Sequence, residues 1–428
     1  MKKAYQIEER RAIEKFRSHL MNDPGDIQMV LPLAEIAQKL REGVAPFLLQ
    51  TQLQLLTLIM DDEVDWLTGK RYGRGEEKAV RRWGREDAAV VINGQKVPLR
   101  RPRLRGEEGE RKLGSYELFS RDEDMQRRVW DRITRGLTMR GYGPVVRECE
   151  PAFGIEKSAV SERFVLASAQ KVDALLKRKL HDLRFCAVLW DGVQYKEEHL
   201  VTALGIDSTG HKMILGFHQG ASENQQVCEG LLADLVGRGL DLRQPHLNII
   251  DGGKGLLAAL RKYCGDAVLV QRCQLHKRRN VCGHFADEDQ PRWDRKLANA
   301  YDLREYKEAK AALLRIQREL MEINPSAARS LEEGMEETLT LHRLRVPMEL
   351  WKTLRSTNPI ESAFSIVRVV CRNVKRWRPG HQIERWVGSG LIVAERQFRR
   401  IDGYRALPGL ISLLEGQRTG TGAKHKVA

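Results

Sequence analysis

Residues 185–193 read FCAVLWDGV, and residues 247–255 read LNIIDGGKG. Each is a run of apolar residues that meets an aspartate followed by glycine. Such uninterrupted runs fit strands buried on both faces. An ionised carboxylate at the end of a buried strand is costly unless a cation or a hydrogen-bond donor meets it. Between the two stretches lie HLVTALGID (199–207) and KMILGFHQG (212–220), separated by breaks short enough for antiparallel hairpins. A helix is expected from Asn224 to Val236, followed by the strand LNII, the helix GLLAALRKYC (255–264) and the strand AVLVQRC (267–273). Three meandering strands followed by strand–helix alternation predict an α/β fold, a mixed sheet with helices on its faces. Residues 285–350 are helical in pattern and charge-rich, and they interrupt this order until Asn358.

Three acids stand out. Asp191 ends the first apolar run; an Asp191-Gly192 hairpin turn is the alternative, although VQY continues the strand pattern. Asp251 precedes Gly252-Gly253-Lys254-Gly255, where glycines permit close approach. The phosphate-loop spacing is not met there, and a strand-to-helix turn capped by Asp251 is the alternative. Glu361 lies in STNPIESAFSIVRVVCRNVKRW (356–377). Asn358 reads as a helix cap and Pro359 as the first helical residue, which would put Glu361 in a capping box. At 100° per residue, Glu361, Ser365, Arg368, Arg372 and Lys375 share one face, with Phe364, Val367, Val370, Cys371 and Val374 on the other. One acid in a basic stripe suits a metal ligand beside residues that hold phosphate; a solvated face would look similar. Nucleic-acid phosphoryl transfer commonly uses two divalent ions bridged by carboxylates.

The whole chain supports a polyanionic partner. It has 428 residues, 42% hydrophobic and 31% charged, with 73 Lys and Arg against 58 Asp and Glu, a formal charge of +15. That composition is globular and excludes wholesale disorder. No stretch approaches the roughly 20 apolar residues of a membrane span, and the N-terminal lysines have no apolar run behind them. Seven cysteines at scattered spacings fit a reduced, cytoplasmic chain better than a disulfide framework. Residues 1–69 read as helical, over Ala34 to Arg41 and Pro46 to Leu67. Residues 70–112 hold 14 Lys or Arg and 7 Asp or Glu, within a basic region taken as 70–120. Here AAVVINGQKVPLRRPRLR (88–105) predicts a β-hairpin turning at Asn93-Gly94. Arg100, Arg101, Arg103 and Arg105 lie on its outgoing arm, which Pro98 and Pro102 restrict to an edge; they suit phosphate contact, or a charged edge that blocks pairing. Residues 121–182 have the layout of a helix-turn-helix. A turn at 153–155 leads to a helix capped by Ser158, with Val160, Phe164 and Val165 inward and Ser158, Ser161 and Arg163 outward, where such helices reach DNA. Cys273 and His276 form a C-x2-H pair with Cys282 and His284 nearby. Zinc is one reading; Cys273 packing with His276 near the active face is the other. Lys277, Arg278 and Arg279 add charge there. The C-terminal tail is taken as 401–428, and EGQRTGTGAKHKVA (415–428) within it is expected to be disordered and basic.

Taken together, LWDGV around Asp191, IIDGGKGL around Asp251, QRCQLHKRRNV after it and RSTNPIESAFSIVR around Glu361 resemble the prokaryotic Mutator-type transposases of insertion sequences. The resemblance covers most of the chain. It implies an RNase H-like core at 183–400 with an all-helical insertion, preceded by a DNA-binding region, and a DDE triad falling on Asp191, Asp251 and Glu361. It also implies two Mg²⁺ or Mn²⁺ ions held by these acids, cleavage at terminal inverted repeats of double-stranded DNA, and strand transfer into target DNA. The family's Cys-x2-His motif falls on Cys273 and His276. A homodimer or larger synaptic oligomer, a nucleoid-associated cytoplasmic location and no membrane partner follow. The Arg-rich hairpin departs from the pattern. A non-catalytic DNA-binding regulator and an RNase H-like nuclease that cuts without joining are the rival readings.

Overall fold

The computed structural model describes residues 44–71, 79–148, 151–195, 198–220, 225–265, 268–378 and 380–424, with residues 11, 14–16 and 18 before them. The helix expected over Ala34 to Arg41 lies outside the described residues. The chain divides into two compact units, residues 1–167 and 168–428.

In the first unit, helix α1 (Val44–Thr68) turns Leu49, Leu56, Met60 and Val64 inward, a helical spacing of apolar residues that buries one stripe. The stripe packs on the hairpin of β1 (Arg81–Ile92) and β2 (Gln95–Gly106), against Val90, Ile92, Val97 and Leu104. Asn93 and Gly94 take the positive φ angles (49° and 85°) of a type I′ turn. A third strand, β3 (Gly109–Arg111), pairs with Leu104–Gly106, so β2 is the central strand of three rather than an edge. The prolines are still accommodated by edge logic. Lys96 exchanges backbone hydrogen bonds with Phe153 on the side away from β1, and Pro98 and Pro102 share its strand parity. They stand in the stretch between that bridge and β3, where no amide is needed. Glu63, buried on α1, accepts hydrogen bonds from the backbone of Gly114 and Ser115 and so caps α2 (Gly114–Phe119). The remaining helices are α3 (Asp122–Thr134), α4 (Tyr142–Val146) and α5 (Lys157–Leu176), the last of which begins in this unit and ends in the second.

Two expectations for the start and the buried face of the last of these helices need correction. Ser158 is the second residue of α5 and not its cap. Val160 and Phe164 are buried as expected, but Val165 is 39% exposed, because one residue beyond Phe164 is a 100° rotation off the buried stripe.

In the second unit a five-stranded sheet runs in the order β6-β5-β4-β7-β8. Its strands are β4 (Phe185–Tyr195), β5 (Glu198–Asp207), β6 (Lys212–Gly220), β7 (Leu247–Ile250) and β8 (Val270–Arg272). The first three are antiparallel, and β7 and β8 continue from β4 in parallel. The crossovers are α6 (Gln225–Gly237) and α7 (Lys254–Cys264). They cover one face, where Val188, Trp190 and Ile250 pack with Leu231, Leu235, Leu256 and Leu260. The buried Trp190 indole N–H donates to Asn248 Oδ1 (2.9 Å), which links β4 to β7.

After β8 come α8 (Gln274–Cys282), α9 (Gln290–Tyr301), α10 (Tyr306–Ile323), α11 (Pro325–Glu332) and several single-turn helices. This helical insertion has its own core, including Trp293, Leu297, Tyr301, Leu313, Leu320 and Leu331. Then α12 (Asn358–Cys371) and α13 (His381–Arg396) pack on each other and on β4 and β6 respectively. The expected tail is corrected in part: α14 spans Leu407–Lys424. Leu407, Leu410 and Leu414 are buried along it, an i, i+3, i+7 stripe whose burial outweighs the polar, Gly-rich composition. Residues 425–428 lie outside the described residues. No helix among the described residues is long and apolar enough to cross a membrane.

Candidate active site

The sheet brings the two aspartates together. Trp190 on β4 lies opposite Ile250 on the parallel strand β7. The next residue on each is therefore an aspartate, at the same level of strands about 4.8 Å apart. Asp191 is within β4 and does not turn the chain; its strand runs on to Tyr195. Since Trp190 faces α6 and α7, Asp191 faces the opposite side of the sheet, the side on which α12 packs on β4.

Asp191 is only 6% exposed, and its Oδ1 accepts from the neighbouring Gly192 amide at 2.9 Å. Burial, followed by the charge of Asp251, pushes its carboxyl up to about 7. Asp251 Oδ1 accepts from the Gly253 amide at 2.9 Å, so the local-turn role is real, while the half-buried carboxylate also acts on Asp191. Gly252 has φ 117° and lies against the Arg272 guanidinium, which donates to its carbonyl at 2.9 Å; a side chain there would meet both strain and collision.

Glu361 lies in the first turn of α12, on the segment that returns from the insertion. The cap is Thr357, one residue earlier than the sequence implies. That shift takes Glu361 out of capping-box register: its own amide bonds the Thr357 carbonyl at 3.0 Å, and its carboxylate is left for other partners. Oε1 accepts from Thr357 Oγ1 at 3.2 Å and faces His276 Nε2 at 3.6 Å; Oε2 faces Arg279 at 3.9 Å. Glu361 is among the charges acting on Asp191. The three acids thus share one electrostatic neighbourhood. They are not drawn tightly enough to hold an ion as they stand: among the described residues no group of three or more His, Cys, Asp or Glu is arranged to do so.

Cys273 and His276 belong to this neighbourhood. The buried Cys273 caps α8, its Sγ accepting from the His276 amide at 3.4 Å. Burial raises its thiol, but the hydrogen bond and charge of His276 outweigh that and hold it below the usual value. His276 is pushed up to about 9 by its bond to Cys273 and by Asp191 and Glu361. Cys282 is packed in the insertion core, so the four-ligand zinc reading has no geometry behind it. Of the three cations after His276, only Arg279 reaches an acid of the site. Lys277, expected to add charge there, is 1% exposed and donates to the carbonyls of Ser330 and Glu333, at 2.6 Å each, at the end of α11. Arg278 pairs with Asp294.

The other candidates divide between the two units. Arg368 and Arg372 are exposed along α12 and at its end, while Lys375 lies beyond the helix, which stops at Cys371. In the first unit, Arg101 pairs with Glu86 and Glu110 and stacks 4.5 Å over Tyr116. Arg103 pairs with the same two glutamates, so neither is a free cation. The sequence does not place Glu110 beside them, because β3 is only three residues long. Arg100 is exposed, 3.5 Å from Asp87, and Arg105 lies 4.6 Å over the exposed Trp83 ring. Ser158 is exposed and Ser161 half-buried. Arg163, expected to face outward, instead donates to the Gly154 carbonyl at 3.0 Å and to Asp122 at 3.4 Å, stapling the turn to α3.

A family model described as Transposase, Mutator family matches residues 28–399. Among curated proteins the chain is similar to the transposase for insertion sequence element ISRM5 of Rhizobium meliloti, 28% identical over 318 residues, covering 71% of this chain and 76% of that one. The transposase for IST2 of Acidithiobacillus ferrooxidans is 30% identical over 217 residues, covering 51% and 71%. The transposase for IS1081 of Mycobacterium tuberculosis is 26% identical over 371 residues, covering 82% and 85%.

Proposed function

The chain belongs to the Mutator family of transposases, and from that premise we propose that it moves an insertion sequence by a DDE mechanism, cutting DNA at terminal inverted repeats and joining the ends to target DNA. One observation carries the mechanism: Asp191 and Asp251 follow paired residues of adjacent parallel strands, on a sheet against which the Glu361 helix packs. The order β6-β5-β4-β7-β8, antiparallel then parallel, supports an RNase H-like core.

The donor set fits hard divalent cations. All three acids offer oxygen, and burial, followed by the charge of Asp251, raises the Asp191 carboxyl against the opposing charge of His276. Asp191, Asp251 and Glu361 would hold two Mg²⁺ or Mn²⁺ ions. When bound, such ions neutralise charge at the scissile phosphate and acidify a water. The chain's own contribution is placement. Two carboxylates are fixed by the sheet and one by the first turn of α12, so the side chains have few rotamers to lose on engagement. The bond changes are in-line: water attacks the phosphorus and displaces the 3′ oxygen at the element end, which leaves as a hydroxyl, and that 3′ hydroxyl then attacks a target phosphodiester and displaces the target strand's 3′ oxygen. Double-stranded DNA is bound through the 121–182 region, with Arg100 and Arg105 of the hairpin and Arg368 and Arg372 of α12 as phosphate contacts. Pairing two ends calls for a dimer or larger synaptic assembly. A cytoplasmic, nucleoid-associated location follows from that substrate.

The test is a cleavage and strand-transfer assay with Mg²⁺ on DNA carrying the element ends. Asp191→Ala, Asp251→Ala and Glu361→Ala are each expected to abolish both steps, while binding to the ends persists. Normal turnover in any of the three removes that acid from the mechanism. Cleavage by the wild type without joining of a pre-cut end would make it a nuclease.

A further inference from the structure

Thr357 is fully buried at the point where the chain leaves the helical insertion and starts α12. Threonine at this position ordinarily uses its hydroxyl to accept an amide of the first helical turn. Here it makes no such bond. The hydroxyl is turned instead towards three side chains: Glu361 Oε1 at 3.2 Å, His276 Nδ1 at 3.4 Å and Cys273 Sγ at 3.7 Å. Forgoing a capping bond is destabilising, so the alternative set of contacts is structurally preferred at this spot.

A hydroxyl has one proton to give and two lone pairs to receive with. The nearest and strongest acceptor is the Glu361 carboxylate. The proton therefore goes there, and the oxygen is left facing the imidazole Nδ1–H of His276 and the Cys273 thiol. The arrangement is held from both sides by backbone. The Gln274 amide at the start of α8 donates to the Arg355 carbonyl at 2.9 Å, and the Glu361 amide donates to the Thr357 carbonyl at 3.0 Å. The C-x2-H pair and the third acid, 88 residues apart from Cys273 to Glu361 in sequence, thus meet at one oxygen.

We propose that Thr357 is a positioning residue for the third acid: its hydroxyl, backed by His276 and Cys273, fixes the rotamer in which Glu361 presents its carboxylate to a divalent cation. The inference rests on Glu361 being a metal ligand. It assigns the C-x2-H motif a supporting role rather than a ligating one. Residues that orient a ligand from behind typically change metal affinity or activity about 10–100-fold when removed.

The test uses the full-length protein without DNA and reads Mn²⁺ binding directly, from the loss of the free-Mn²⁺ electron paramagnetic resonance signal. Thr357→Val keeps the shape and removes the hydroxyl; it is expected to weaken Mn²⁺ binding by about tenfold or more, while Thr357→Ser, which keeps the hydroxyl, stays within about twofold of wild type. A strand-cleavage titration should show the same order, with the Mn²⁺ requirement of the valine variant shifted upward. Should the valine variant fail to fold by circular dichroism, Thr357→Ala removes the same hydroxyl without the second branch and carries the same expectation. Wild-type Mn²⁺ affinity in the folded valine or alanine variant overturns the proposal, as does an equal loss in the serine variant. Glu361→Ala separates the two levels. If it binds Mn²⁺ like wild type, the ligand reading itself fails; if it loses binding while Thr357→Val does not, only the role of Thr357 fails.

Discussion

At the scale of single residues, Asp191 is a costly charge. It is buried and has a like charge beside it, and both effects favour the protonated form. Its folded value of about 7 lies above the ordinary carboxylate value near 3.9. Between those limits the folded state holds more protons than the unfolded one, so Asp191 removes stability as pH rises from about 4 to about 7, and the loss is complete above that. Asp191→Asn keeps the oxygen that accepts from Gly192 and discards the charge. Without divalent ions, the variant is expected to be more stable than wild type at pH 8, on the order of 2 kcal/mol, with the gap closing near pH 4. Denaturant melts at the two pH values measure it; a wild type as stable as the variant at pH 8 would contradict the electrostatic account. Arg163 and Lys277 carry the opposite lesson. Both are cations in basic stretches, and both are consumed by internal carbonyls or carboxylates.

Local backbone chemistry sets the elements, and neighbours confirm or redirect it. The Asn93-Gly94 turn is the strongest case, because its positive φ angles suit few other residues. Gly94 is constrained twice: φ is 85°, and an added Cβ would lie 2.5 Å from the Tyr142 hydroxyl. That hydroxyl donates to the Gly94 carbonyl at 3.0 Å. Gly94→Ala is therefore expected to destabilise the first unit by about 1–3 kcal/mol, read as a lower denaturation midpoint. A midpoint equal to wild type would mean the turn relaxes freely. The insertion is anchored by a comparable device: Lys277 and Arg272 both donate to the Glu333 carbonyl at the end of α11, cations at a helix C-terminus where they satisfy orphan carbonyls.

Across the whole molecule, the formal charge of +15 is spread over two units, and much of the basic hairpin is neutralised internally. The surplus still implies association with duplex DNA driven by counterion release. Binding of the full chain to DNA of unrelated sequence is expected to weaken about 10³-fold between 50 and 200 mM salt if some six phosphates are contacted. A titration nearly flat in salt would exclude phosphate-dominated binding. Replacing Arg101 or Arg103 should change that slope less than replacing Arg100, because their partners Glu86 and Glu110 already hold them.

The sequence by itself determined the strand runs, the aspartate at each, the glycine-bearing hairpin turn and the presence of a helical block before Glu361, though its helices begin at Gln274 and not at 285. These are properties of period, burial preference and allowed φ angles, which act within a few residues. It also singled out Glu361, through one acid in a basic stripe, but with the cap misplaced by a residue and a capping box as a rival. Only the tertiary structure decided that Trp190 pairs with Ile250, that Thr357 gives up capping to meet Glu361, that Glu110 occupies Arg101 and Arg103, and that the C-terminal segment is a helix. Each of these depends on which distant surface buries a side chain, and a one-dimensional pattern carries no record of who its neighbours across the fold will be.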